Sequence, residues 1–325
     1  PDGHKAREVS MTERRFDDPH HLASAKVIVG VDGSDGSWAA VGWAAQFAAE
    51  RGRELEILHG MGLVGAGGVL GDYEVIVPSV IDMVREQGKD VVARAERLAR
   101  SIAPGLRVSA RASTDAGSEL LIGHSAEAYA VVIGATGDAG TLTHWGSTLL
   151  AVTAHAQGTV VVVRADPDAG GAVHASGPVV LGVDGSPVGE AAIAAAFAEA
   201  AERGAELVAV HVWSDWDFGR FAGHTSLGEL DLDDVERAIL AERLAGWQEK
   251  FPQVRVARKV EVSAPGPHLL DWSKVAQLLV VGSRGRGGFA GMLLGSTANT
   301  LVQHASCPVM VVHPHDDQRG SGHRR

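Results

Sequence analysis

One segment of this chain occurs twice. Near the start it reads Lys26-Val-Ile-Val-Gly-Val-Asp-Gly-Ser34, and in the middle Pro178-Val-Val-Leu-Gly-Val-Asp-Gly-Ser186. The two align without a gap about 150 residues apart, and a repeat of that period constrains the fold strongly, because each copy has to be a complete structural unit. With 325 residues, two domains are expected, each long enough to bury a core.

The rest of each copy follows the same order. An Ala-rich amphipathic helix is predicted at 38–51 and again at 189–203, each ended by a glycine, Gly52 or Gly204. Each leads into a buried strand closing on a histidine, 55–59 with His59 and 207–211 with His211. The copies then diverge through 62–71 and 213–228, which read as loops or lids over a site. Second helices follow at 79–102 and 233–250, third strands at 107–112 and 255–260, and short helices near Glu119 and Leu269. Fourth strands at 130–133 and 278–281 run into a glycine-rich loop, a helix from Ser147 or Ser296, and a last strand at 160–163 or 309–313. Strands buried on both faces and alternating with helices imply an α/β fold of two tandem doubly wound parallel-sheet domains. Ligands of such sheets bind outside the carboxyl ends of the strands.

The expected boundaries are a first domain at 26–164, a linker at 165–177 and a second domain at 178–313. The linker is rich in Asp, Gly, Ala and Pro and is expected to be flexible. The tails, 1–25 and 314–325, are polar and expected to be disordered.

Composition narrows the function classes. The longest apolar runs, such as Val160-Val161-Val162-Val163, fall far short of the roughly 20 residues of a membrane span. Arg7, Arg14 and Arg15 have no apolar stretch behind them, so no signal peptide is read and a cytoplasmic location is expected. A net charge of −11 argues against general nucleic-acid binding. The one cysteine, Cys307, suits a reducing compartment and reads as a small buried thiol beside Pro308.

The second glycine loop carries the chemistry. It reads Gly282-Ser-Arg-Gly285-Arg-Gly-Gly-Phe-Ala-Gly-Met-Leu-Leu-Gly295-Ser296-Thr297, leaving a strand and entering a helix. Main-chain N–H groups can converge on an anion only where side chains are absent, which the glycines provide. The N–H groups and hydroxyls at Ser296 and Thr297 open a helix whose positive dipole end favours phosphate. Arg284 and Arg286 add local positive charge. The plainer reading, a tight strand-to-helix connection, fits a lone Gly-x-x-Gly better than this long, arginine-bearing loop beside an Asp-Gly-Ser turn.

Gly282, Gly285, Gly295 and Ser296 meet the pattern Gly-x2-Gly-x9-Gly-Ser, which resembles the ATP signature of the universal stress proteins. The resemblance spans nearly all of residues 26–313, including the His-Ala-Ser-Cys-Pro-Val approach to the last strand. It implies the universal-stress-protein, adenine nucleotide alpha-hydrolase-like fold, in tandem, with the two last strands pairing across a pseudo-twofold axis. It also implies ATP with Mg²⁺. Asp184 would face the adenosine, Val212 would give main-chain hydrogen bonds to adenine, and Gly282, Gly285, Gly295, Ser296 and Thr297 would surround the phosphates. A nucleotide-dependent regulator of stress or dormancy follows, with a homodimer expected and the protein partner unnamed.

The first copy departs from the pattern. In Gly134-Ala-Thr-Gly137-Asp-Ala-Gly-Thr-Leu-Thr-His-Trp-Gly146-Ser147 only eight residues separate the last two signature glycines, and Thr136 and Asp138 stand where Arg284 and Arg286 do. A carboxylate beside a triphosphate costs about 1 kcal/mol or more even in a wet site. The site framed by Asp32, Gly134, Gly137, Gly146 and Ser147 is therefore expected to hold ATP weakly or not at all.

Other patterns carry less. His59 and His211 lack Cys or carboxylate partners at ligand spacing and read as structural. No Gly-x-x-x-x-Gly-Lys-Ser/Thr occurs, so a P-loop ATPase is excluded, and no Gly-x-Gly-x-x-Gly follows the first strand. Asp32-Gly-Ser-Asp-Gly-Ser37 faintly resembles the pyrophosphatase loop of adenylating enzymes, but the second copy loses it at Pro187. No general base is positioned for catalysis, so hydrolysis is expected to be slow at most. An enzyme transferring adenylate or phosphate is the alternative.

Overall fold

The computed structural model describes residues 25–63, 77–135, 147–166, 168, 170–184, 186, 189–213, 232–262, 264–285 and 293–314. The first half contains β1 (Lys26–Gly30), α1 (Asp35–Glu50), β2 (Leu55–Gly60), α2 (Val77–Ile102), β3 (Val108–Ser113), α3 (Gly117–Ser125), β4 (Ala128–Gly134), α4 (Ser147–His155) and β5 (Thr159–Val163). The second contains β6 (Val179–Val183), α5 (Glu190–Glu202), β7 (Leu207–Trp213), α6 (Leu232–Lys250), β8 (Val256–Val262), α7 (Pro265–Ser273), β9 (Leu278–Gly282), α8 (Ser296–His304) and β10 (Val309–Val312).

These strands form one ten-stranded sheet in the order β3-β2-β1-β4-β5-β10-β9-β6-β7-β8. Within each half neighbouring strands are parallel. The halves meet where β5 and β10 pair antiparallel, Val162 opposite Val309 and Val160 opposite Val311. All but two of the paired positions are valine, whose branched side chains suit a pleated surface covered on both faces. Because the joint is antiparallel, the carboxyl ends of the two sets of strands open at opposite rims of the sheet.

Alternation along the strands feeds two cores. Val27, Val29, Val161 and Val163 point to one face, where they meet α1, α2, α5 and α6; Ile28, Val131, Val160 and Val162 point to the other, beneath α3, α4, α7 and α8. Each core draws on both halves, so the seam is continuous interior. Fully burying a valine or leucine contributes about 1.5–3 kcal/mol.

Two expectations need correction. Helix α1 begins at Asp35, three residues ahead of the expected start at 38, because Ser34 caps it: its hydroxyl accepts the Ser37 N–H. Asp, Gly and Ser look like turn residues, yet here they form the first helical turn. The linker expected to be flexible is instead folded back on itself. Asp166 is buried and pairs with Ala172 in an isolated bridge, its Oδ1 accepts the Asp168 N–H, and its Oδ2 lies 2.6 Å from His174 Nε2. His174 Nδ1 reaches the Ala276 carbonyl at 2.9 Å, tying the segment to the second half. Small polar residues that make a linker look mobile also make the tight Asp turn that fixes it.

Both tails, apart from Ala25 and Pro314, lie outside the described residues, as do most of the divergent segments 62–71 and 213–228. No helix among the described residues is long and apolar enough to cross a membrane.

Candidate functional site

In the second half the site assembles at the carboxyl ends of β6 and β9. Asp184 follows β6, and its Oδ1 accepts the Ser186 N–H (3.0 Å) and hydroxyl (2.8 Å). It makes an Asx turn rather than capping α5, whose N-cap Gly189 supplies no side chain. The second oxygen of the carboxylate lies against the glycine loop: a Cβ on Gly285 would stand 3.0 Å from Asp184 Oδ2. A side chain there would press on the carboxylate, which glycine avoids.

The loop is drawn together at its base. The Gly295 N–H donates to the Ser283 carbonyl (2.8 Å), and the Ser283 N–H donates to the Val312 carbonyl on β10 (2.8 Å). Gly282, Gly285, Gly295, Ser296 and Thr297 are thereby gathered beside Asp184. Arg286 and the loop through residue 292 lie outside the described residues. Val212 stands one strand away on β7: the ladder to β6 ends at Val183 opposite His211, while the ladder to β8 continues through Val212 and Trp213. Val212 therefore projects past the end of β6, over the same rim.

Two observations bear on whether a phosphate fits. Helix α8 has Gly295 as its N-cap, which brings no side chain to accept from the first N–H groups as Ser34 does at α1. Ser283 Oγ is buried at the root of the loop and has no hydrogen-bond partner among the described residues. A buried hydroxyl without a partner costs about 1–3 kcal/mol. Donors left open at a glycine-cleared helix start match the chemistry of a polyphosphate. Sequence reasoning gave Ser283 no role; the signal was that the first copy has Ala135 in its place.

The first half is arranged differently. Asp32 Oδ1 accepts the Ser34 N–H (2.9 Å) and hydroxyl (2.6 Å), while the Ser37 hydroxyl donates to the Ser34 carbonyl (2.8 Å). Burial pushes the Asp32 carboxyl upward, but hydrogen bonds from Ser34 and Ser37 together outweigh it and hold the group below its ordinary value. One donor at the start of α1, the Ser37 N–H, is thus already engaged. Gly134 abuts the same turn: a Cβ there would meet the Gly36 carbonyl oxygen at 2.2 Å and the Ser37 nitrogen at 2.7 Å. At the equivalent Gly282 the nearest atom among the described residues is the Arg284 carbonyl oxygen at 3.2 Å. Gly137 and Gly146 lie outside the described residues, and Ser147 is the first residue of α4.

The strand-ending histidines are structural clasps. His59 Nδ1 is 2.7 Å from the Val31 carbonyl, and His211 Nδ1 is 2.7 Å from the Val183 carbonyl, each locking the end of one strand to its neighbour. Among the described residues no group of three or more His, Cys, Asp or Glu could hold a metal ion.

Comparison with known proteins places this architecture. The universal stress protein family matches the sequence twice, at residues 24–164 and 176–313. A universal stress protein of Mycolicibacterium smegmatis is 40% identical over 294 residues, covering 89% of this chain and 97% of the relative. A universal stress protein of Mycobacterium tuberculosis is 39% identical over 298 residues, covering 88% and 96%. Among solved structures, a universal stress protein from Archaeoglobus fulgidus superposes with a TM-score of 0.61 at 18% identity, covering 88% of this chain and 98% of its own, a likeness of fold. Two family matches, relatives that share nearly the whole length, and one sheet built from two copies of the same unit lead to a single conclusion: the chain belongs to the universal stress protein family, as a tandem member.

Proposed function

We propose that the protein binds ATP, with Mg²⁺ accompanying the phosphates, chiefly in its second half, and that nucleotide occupancy is its signal in a stress or dormancy response. The observation that carries this reading is the uncapped start of α8, facing a glycine loop whose buried Ser283 hydroxyl has no partner among the described residues. Asp184 and Val212 would hold the adenosine side; Gly282, Gly285, Gly295, Ser296 and Thr297 would surround the phosphates.

The first half is the weaker site. Its Gly134 is packed against the α1 main chain, and its loop is one residue shorter with Asp138 in it. One good site per chain follows. Domains at 26–164 and 178–313, a cytoplasmic location and further homodimerisation belong to the same reading, as does slow hydrolysis at most.

A sensor of this kind is thermodynamically reasonable. With a dissociation constant of roughly micromolar, millimolar ATP stabilises the bound form by about 4 kcal/mol. The test is to heat-denature freshly purified protein and resolve the supernatant by ion exchange. About one ATP per chain is expected; no nucleotide, together with no thermal shift on adding ATP, would overturn the reading. Gly282→Ala and Asp184→Ala should each weaken the shift.

A further inference from the structure

Helix α8 runs from one rim of the sheet to the other, and the first half holds its C-terminal end. Its N-terminus at Ser296 opens at the carboxyl rim of the second half, where the phosphates are proposed to bind. Nine residues on, about 12 Å away at 1.5 Å per residue, its C-terminus reaches the carboxyl rim of the first half. There Arg164, the residue after β5, donates from Nη2 to the Gln303 carbonyl at 2.7 Å and the Val302 carbonyl at 3.3 Å. The first half thus holds the far end of the helix.

The mirror contact differs in kind. His313, the residue after β10, has Nδ1 3.0 Å from the Gly158 carbonyl and Nε2 2.9 Å from the Thr153 carbonyl, at the C-terminal end of α4. A guanidinium is always charged, whereas an imidazole need not be. The guanidinium stands behind the helix that leaves the intact glycine loop, and the imidazole, with a carbonyl oxygen facing each ring nitrogen, behind the helix that leaves the shortened one. An anion at the N-terminus and a cation at the C-terminus both favour the same helix dipole. Arg164 and a phosphate are complementary ligands of α8 at opposite ends.

We propose that Arg164 makes the first half the reader of nucleotide occupancy in the second, by gripping the far end of the helix whose start receives the phosphates. The proposal rests on the nucleotide reading above. Without nucleotide, α8 is held at one end; with it, both ends are fixed, and the restraint passes through Arg164 into β5 and the adjoining α4. Arg164 acts as a positioning residue, since it grips α8 at the end opposite the proposed phosphates. The coupling is reciprocal, so loss of the grip also weakens nucleotide binding.

Hydrogen exchange on the full chain, with and without saturating Mg-ATP, tests this. In the wild type ATP should slow exchange in peptides covering 296–304 and also in those covering 147–163. Arg164→Met should bind ATP about two- to fivefold more weakly, the effect of losing a cation at a helix C-terminus. At saturation it should keep protection at the start of α8 and lose it in 147–163. Arg164→Lys, which keeps the charge, should lie between the two. Protection confined to the second half of the wild type, or unchanged protection of 147–163 in Arg164→Met, would overturn the coupling while leaving the nucleotide reading intact. Absence of ATP binding by the wild type would overturn both.

Discussion

Arg51 at the end of α1 and Glu199 within α5 meet across the seam between the halves, Nη2 to Oε2 at 2.7 Å, with their side chains only 6% and 5% exposed. Arg203 adds a second bond to the same carboxylate oxygen at 3.0 Å, and the Arg51 guanidinium lies 3.7 Å from the centre of the Phe47 ring. In the repeat alignment Arg51 corresponds to Arg203, but Glu199 corresponds to Phe47. The seam is therefore symmetric in backbone and asymmetric in charge: one acid in the second half serves an arginine from each.

Glu199→Ala would remove the closest carboxylate from two largely buried guanidinium groups, leaving Arg51 only Glu50 at 3.5 Å. Breaking a buried pair by removing one partner costs about 3–5 kcal/mol. The denaturant midpoint should fall accordingly, whereas Glu96→Ala, which removes an exposed partner of Arg100, should change it by less than about 1 kcal/mol.

Asp32 predicts a pH dependence. Its folded carboxyl is held below the ordinary value, so the folded state takes up this proton less readily than the unfolded chain. The contribution is present above the ordinary carboxylate range and is lost as pH falls through the depressed folded value. The melting temperature of the wild type should fall more steeply between pH 5 and pH 3 (roughly the range set by the carboxylate value) than that of Asp32→Asn. Ser34→Ala removes a donor to Asp32 and the cap of α1 together, at about 1 kcal/mol.

Cys307 should be inert in the folded protein. Burial pushes its thiol up to about 12, leaving almost no thiolate at neutral pH. Intact-mass measurement after iodoacetamide at pH 8 (about half a unit below a free thiol's value) should show no adduct, and one adduct once the chain is unfolded in denaturant.

Gly134→Ala separates packing from ligand binding. The added methyl would meet main chain rather than a movable side chain, and overpacking of this kind costs about 1–3 kcal/mol. A lower melting temperature with unchanged ATP per chain is expected, in contrast to Gly282→Ala, where ATP binding itself should weaken.

The strands were legible because each is a short apolar run between turn residues, and the copies reinforced one another: β4 and β9, or β5 and β10, are the same signal read twice. The start of α1 was not, since Asp35-Gly36-Ser37 serves equally as a turn or a capped first turn, and only the Ser34 to Ser37 bond decides. The linker misled for a related reason: burial of Asp166 depends on His174 and Ala276, which no local pattern reveals. At the candidate site the glycines were proposed from their spacing and Asp184 from the family resemblance, whereas Ser283 required knowing that its hydroxyl is enclosed. Arg164, Arg51 and Glu199 act across a seam whose register is set by β5 and β10, so their partners lie more than a hundred residues away along the chain. The one local hint was a mismatch between copies, Phe47 against Glu199.

Joining β5 to β10 within a single polypeptide changes how the pairing responds to dilution. Two separate chains would part as their concentration fell, whereas here each closing strand meets its counterpart at an effective concentration fixed by the covalent link between the halves. The pairing is then indifferent to how much protein the cell makes. It also frees the copies from having to match themselves: a residue such as Glu199 needs to suit only one counterpart, which lets one half specialise while the other drifts.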